Sequence, residues 1–162
     1  MRLWHRVPRP LRSLVPIAGM ATLWWSSSCQ LGTAPVAAAE ALLHNGAHVV
    51  AYAALGSAFW LAWSASSRRQ HDGSLGEGGG WLRRSWAAFF LAALYGAIDE
   101  LHQSYVPGRV CSIVDLGSDA FGAAFAVLVL RGVSGRRARV PLAAWLCLLG
   151  GIGTSAFETY AG

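Results

Sequence analysis

The chain has 162 residues, 54% of them hydrophobic and only 13% charged, with a mean hydropathy of +0.41. Soluble domains carry about a quarter charged residues and disordered chains carry few large apolar ones, so both classes are excluded and a membrane protein remains. The charges are 13 arginines, no lysine and 8 acids; a net charge of +5 would suit nucleic acid only as a basic patch on a soluble surface, so no nucleic-acid partner is expected.

Five apolar stretches approach the length of about 20 residues that crosses a bilayer. They cover 13–31, 41–63, 85–105, 112–130 and 140–157. Ser26, Ser27 and Ser28 dilute the first, and Gly150, Gly151 and Gly153 weaken helix propensity in the last. The expectation is an all-α, polytopic helical membrane protein with four to five transmembrane helices. It divides into a basic N-terminus with a signal-anchor helix (1–40), a core of three helices (41–131), and a basic loop with a fifth helix (132–162).

Arginine placement sets the orientation. Arg2, Arg6, Arg9 and Arg12 precede the first span, Arg68, Arg69, Arg83 and Arg84 lie in the second connection, and Arg131, Arg136, Arg137 and Arg139 fill the fourth. The remaining connections hold only Arg109, so the positive-inside rule puts the N-terminus in the cytoplasm and the C-terminus outside. Trp60, Trp63, Trp81, Trp86 and Trp145 fall toward the cytoplasmic ends as an interfacial belt, which Trp24 and Trp25 do not join. The Gly/Ser-rich segment 64–80 reads as a flexible cytoplasmic loop. The small-residue run Ala37, Ala38, Ala39 lies too far beyond the apolar core for a usual signal-peptide cleavage site, which favours an uncleaved helix. Cys29, Cys111 and Cys147 are read as buried small apolar side chains, with a Cys29–Cys111 disulfide as the alternative in an oxidising compartment.

The acids are not spread evenly. Asp99, Glu100, Asp115 and Asp119 occur within 21 residues around the turn Pro107-Gly108-Arg109. Asp99, Asp119 and His48 each lie six or seven residues from the outer end of their spans, about 10 Å deep at helical rise, so three helices place polar groups at one level. His44, His48 and Tyr52 share a helix face, as do Asp115, Asp119 and Gly122; Asp99, His102 and Gln103 form another, with Glu100 one position round. An ionised acid in the membrane costs about 3 kcal/mol on insertion scales, so such residues are paired, protonated or wet, and by default mark a functional site. The competing reading is a hydrogen-bonded clamp tying three helices together. Glu40 and His44, near the boundary, read as ordinary interfacial residues. Arg109 is the one permanent cation near the acids and could fork onto a carboxylate or a phosphate.

The string Asp99-Glu100-Leu101-His102-Gln103, then Val106-Pro107-Gly108-Arg109, then Asp115, Asp119 and Gly122 closely resembles the signature of the VanZ-like family, and His48, Tyr52 and Leu55 match its earlier histidine segment. The resemblance covers about 42–130. It departs from the family pattern at Asp119, where Asn is usual, and in lacking a lysine shortly before the histidine, where His44 and Asn45 stand. The resemblance implies a multi-pass protein of the bacterial cytoplasmic (inner) membrane, in a family named for a member associated with resistance to teicoplanin, a lipid-bearing glycopeptide.

The favoured function is non-enzymatic. An outward-facing pocket of His48, Asp99, Glu100, His102, Gln103, Arg109, Asp115 and Asp119 would bind a lipid headgroup, cell-wall precursor or amphiphilic glycopeptide-type antibiotic. The alternative is a membrane enzyme acting on a phosphate-bearing lipid, with a divalent cation on Asp115 and Asp119, Arg109 on phosphate, and Glu100 or His102 as general acid or base. Proton-coupled transport and a structural assembly role complete the alternatives, the latter resting on the small faces Ser118 to Gly122 and Gly150 to Gly151.

Overall fold

The computed structural model describes residues 7–29, 38–64, 77–109, 111–134 and 139–161. Those residues form five helices and no strand: α1 (Arg9–Ser28), α2 (Ala38–Ser64), α3 (Glu77–Gln103), α4 (Ile113–Ser134) and α5 (Leu142–Ala161). Each contains most of one expected apolar stretch, so the all-α class holds; α3 begins at Glu77, so the last four residues of the expected 64–80 loop are helical. Arg2, Arg6, Arg68, Arg69, Arg136 and Arg137, most of the 64–80 loop, Ala37, and the side chains of Glu40, His44 and Trp81 lie outside the described residues.

Helix α2 packs against all four other helices, and α4 packs against α2, α3 and α5, so these two form the centre. Among the described residues they are also the two helices long and apolar enough to cross a membrane, over Gly46–Trp63 and Ile113–Ser134; α5 carries a shorter apolar stretch, Leu142–Phe157. Their close approach depends on small residues. A Cβ on Gly122 would overlap the carbonyl oxygen of Val49, and one on Gly56 would sit 3.2 Å from the Cα of Ala123. The same device seats α5, where Gly151 faces the Val49 side chain and Gly150 the ring of Phe121. Without the drive to hide apolar surface from water, helices in lipid associate through such backbone-close contacts and through buried polar groups.

The distribution of side chains is inverted relative to a water-soluble bundle. Leu14, Ile17, Leu94, Ile98, Leu146 and Leu149 are exposed, whereas Asp99, Glu100, Gln103, Ser118, Asp119 and Ser155 are buried. Between α2, α3 and α4 lies a small apolar core of Tyr52, Leu55, Ala92, Tyr95 and Ala123, continued by Trp60, Ala88 and Val127. Trp60 corrects the expected belt: it is 1% exposed and lies under the guanidinium of Arg84, 5.6 Å from its ring centroid, whereas Trp63, Trp86 and Trp145 are exposed. The cysteines correct a second expectation. All three are free, and Cys29 and Cys111 are exposed rather than buried.

Replacing Gly122 by Ala must push α2 from α4, and overpacking of this kind costs about 1–3 kcal/mol. Thermal unfolding in detergent should therefore show a lowered midpoint for Gly122→Ala and one at or above the wild type for Gly153→Ala, whose Cβ meets nothing within 4 Å inside α5. Equal midpoints would mean that α2 and α4 do not meet at Gly122.

Candidate functional site

The site lies where α3 ends and α4 begins. Helix α3 finishes at Gln103, and its last carbonyls are taken up by the Ser104, Tyr105 and Val106 amides through bonds to Glu100, His102 and Gln103. The chain then reverses at Val106-Pro107-Gly108-Arg109. The Arg109 amide donates to the Val106 carbonyl at 3.1 Å, with Gly108 at φ +84°, the left-handed position that glycine fills after proline in a type II turn. Ser112 caps α4, its Oγ accepting from the Val114 and Asp115 amides at 3.1 and 3.2 Å. Asp115 sits in that first turn, where the helix dipole favours a negative charge.

This geometry sends neighbouring α3 side chains in two directions. Asp99 and His102 face α1. Ser27 Oγ donates to Asp99 Oδ1 at 2.7 Å and Gln103 Nε2 donates to Asp99 Oδ2 at 3.1 Å, so both oxygens of this buried carboxylate are satisfied. His102 Nε2 is 3.0 Å from Ser28 Oγ, and its ring stacks on Trp24 with centroids 3.8 Å apart. Arg109 donates from Nη2 to Gln103 Oε1 at 2.8 Å, which links the cation of the turn to Asp99 through the glutamine amide.

Glu100 instead turns toward α2 and α4. Its Oε2 accepts from the Ser112 amide at 2.9 Å, and it is only 3% exposed. From α2, His48 Nδ1 lies 3.0 Å from Oδ1 of Asp119 on α4, which is fully buried. Tyr52, one turn on from His48, holds its ring nearly parallel to the imidazole, and its buried hydroxyl meets no partner among the described residues. Gly96 gives Asp119 room, since a Cβ there would stand 3.0 Å from Asp119 Oδ2. One ligand-type atom from each of His48, Glu100 and Asp119 lies within 4.8 Å of the others. Among the described residues, no donor reaches Glu100 Oε1 or Asp119 Oδ2. An uncompensated buried acceptor costs about 1–3 kcal/mol and more when charged, so these two oxygens are where the arrangement is incomplete.

Seven of the eight expected site residues thus join two adjoining networks: Asp99, His102, Gln103 and Arg109 with α1, and His48, Glu100 and Asp119 at the α2–α3–α4 junction. Asp115 stays in the first turn of α4 and is not part of the close ligand-type group. Glu100, which helical spacing sets apart from Asp99, is the α3 residue that joins Asp119. Sequence reasoning does not reach the α1 partners Trp24, Ser27 and Ser28, although three consecutive serines in an apolar span are a usable signal. Ser118 Oγ and Thr154 Oγ1, 2.8 Å apart, add a polar α4–α5 contact.

An apolar exterior around buried carboxylates defines a helical membrane protein with a polar centre. The VanZ/LLP1 family model matches residues 4–134, four-fifths of the chain, and the protein belongs to that family. The match includes α1, which the motif resemblance over 42–130 left out, and excludes α5. No curated protein and no solved structure matches the chain significantly.

The His48–Asp119 contact should be measurable as coupling. In a double-mutant cycle of His48→Ala and Asp119→Asn, unfolding in micelles is expected to give an interaction energy of roughly 1 kcal/mol or more, whereas strict additivity would deny the contact.

Proposed function

We propose that this protein is a multi-pass component of the bacterial cytoplasmic membrane, N-terminus inside, whose polar cluster binds the head of an amphiphile at the outer leaflet. The ligand class comprises lipid headgroups, cell-wall precursors and glycopeptide-type antibiotics, which share a polar head on an apolar tail. The observation that carries this reading is the convergence of three buried carboxylates from two helices beside Arg109, with Glu100 Oε1 and Asp119 Oδ2 lacking donors among the described residues. Hydroxyl, amide or ammonium groups of a headgroup would supply those donors, and the guanidinium would take a phosphate. The exposed apolar flanks of α1 and α3 on either side supply a surface for the tail.

The orientation is supported by the arginines. Arg12 and Arg84 lie at the opposite end of α1 and α3 from the cluster, and Arg131 lies at the far end of α4, so the positive-inside rule puts the cluster outside. Membership of the VanZ/LLP1 family is compatible with a role in tolerance to lipid-bearing glycopeptides, since the family takes its name from a member associated with teicoplanin resistance.

Native mass spectrometry of the gently purified protein tests this reading. A lipid-mass adduct is expected on the wild type and is expected to fall several-fold in both Arg109→Ala and Asp119→Asn; an adduct unchanged in both would contradict it. Expression in a susceptible Gram-positive host separates the sources: raised teicoplanin tolerance that Arg109→Ala abolishes indicates the glycopeptide, and unaltered tolerance with a retained adduct indicates an endogenous lipid.

A further inference from the structure

We infer that His48, Glu100 and Asp119 form a binding site for a divalent first-row cation of the Mn2+ or Zn2+ type. The three come from three helices, α2, α3 and α4, and offer one ligand-type atom each within 4.8 Å of one another. Ligand atoms about 2.1 Å from a tetrahedral ion stand about 3.4 Å apart, so small side-chain adjustments close the set. One imidazole nitrogen with two carboxylates is a mixed donor set, harder than the thiolate sites of structural zinc and softer than the all-oxygen sites of calcium.

A second observation is independent of that clustering. Glu100 and Asp119 are 3% and 0% exposed, and Glu100 Oε1 and Asp119 Oδ2 are buried with no hydrogen-bond donor among the described residues. Neighbouring groups deepen the deficit of positive charge: Asp99 is buried one residue from Glu100, and Asp115 lies one turn before Asp119. Arg109 offsets only one of these buried carboxylates, and a divalent ion compensates two of them at once. The surrounding bonds also fix the ligands. The Ser112 amide holds Glu100 through Oε2, which leaves Oε1 for an ion, and the Tyr52 ring lies parallel to that of His48. Three protein ligands leave further coordination positions open to an oxygen from outside the chain. With the ion bound, Glu100 Oε1 and Asp119 Oδ2 belong to it rather than to a headgroup's donors, and a headgroup meets the site through Arg109 and the ion's open positions; the ion itself binds with or without an amphiphile.

The test uses the full chain in mild detergent, stripped with chelator and titrated with MnCl2 or ZnCl2 alone, with bound metal measured by inductively coupled plasma mass spectrometry. One ion per chain is expected, with affinity at least tenfold weaker in Glu100→Gln and in Asp119→Asn and reduced much less in Asp115→Asn, which removes a nearby charge but no ligand. Because the first two variants could fail to fold, pulsed electron paramagnetic resonance of Mn2+ on the wild-type chain gives a separate reading: modulation from a single imidazole nitrogen is expected. Absence of a stoichiometric ion, absence of that modulation, or a loss of binding confined to Asp115→Asn would overturn the assignment.

Discussion

Carboxylates buried between helices that face lipid need donors from the protein itself, and this constraint shapes the rest of the molecule. Asp99, Glu100 and Asp119 can be buried only because other elements bring donors to them: Ser27 from α1, the Ser112 amide at the start of α4, and His48 from α2. Each of those bonds crosses between elements. The polar groups therefore specify how the helices meet, which the uniform apolar exterior cannot do.

The glycines make those meetings possible. Gly122 lets α4 approach the Val49 backbone one residue from His48, and Gly96 leaves room for the Asp119 carboxylate against α3. Small residues and acids on the same stretch of α4 are thus parts of one arrangement: the backbone contact brings the helices close enough for short polar side chains to touch. The turn contributes in the same way. Its proline and left-handed glycine return the chain so that Ser112 can both cap α4 and reach Glu100, while Arg109 folds back on Gln103.

Much of this is legible in the sequence. Helical rise puts His48, Asp99 and Asp119 at one depth, and the direct His48–Asp119 contact follows from that common level. What helical spacing cannot supply is the identity of the neighbour on each side. A wheel separates Glu100 from Asp99, but only the position of α1 explains why Asp99 and His102 turn toward serines while Glu100 turns toward Asp119. The serines of α1 look like dilution of an apolar span because hydroxyls alter hydropathy whether or not they meet a carboxylate. Trp60 misleads for a related reason: its place along the helix matches an interfacial belt, and its burial under Arg84 depends on α3. The cysteines can be paired by depth alone, yet depth says nothing about whether a thiol is covered.

The α2–α3–α4 junction requires His48 and Asp119 to meet inside the bundle while the protein is in a bilayer. Solid-state NMR of protein reconstituted in lipid, with 15N in the histidine rings and 13C in the aspartate carboxyls, measures that contact directly. Strong recoupling between one imidazole nitrogen and one carboxyl carbon, lost in Asp119→Asn, is the predicted result; no recoupling in the wild-type protein would contradict it.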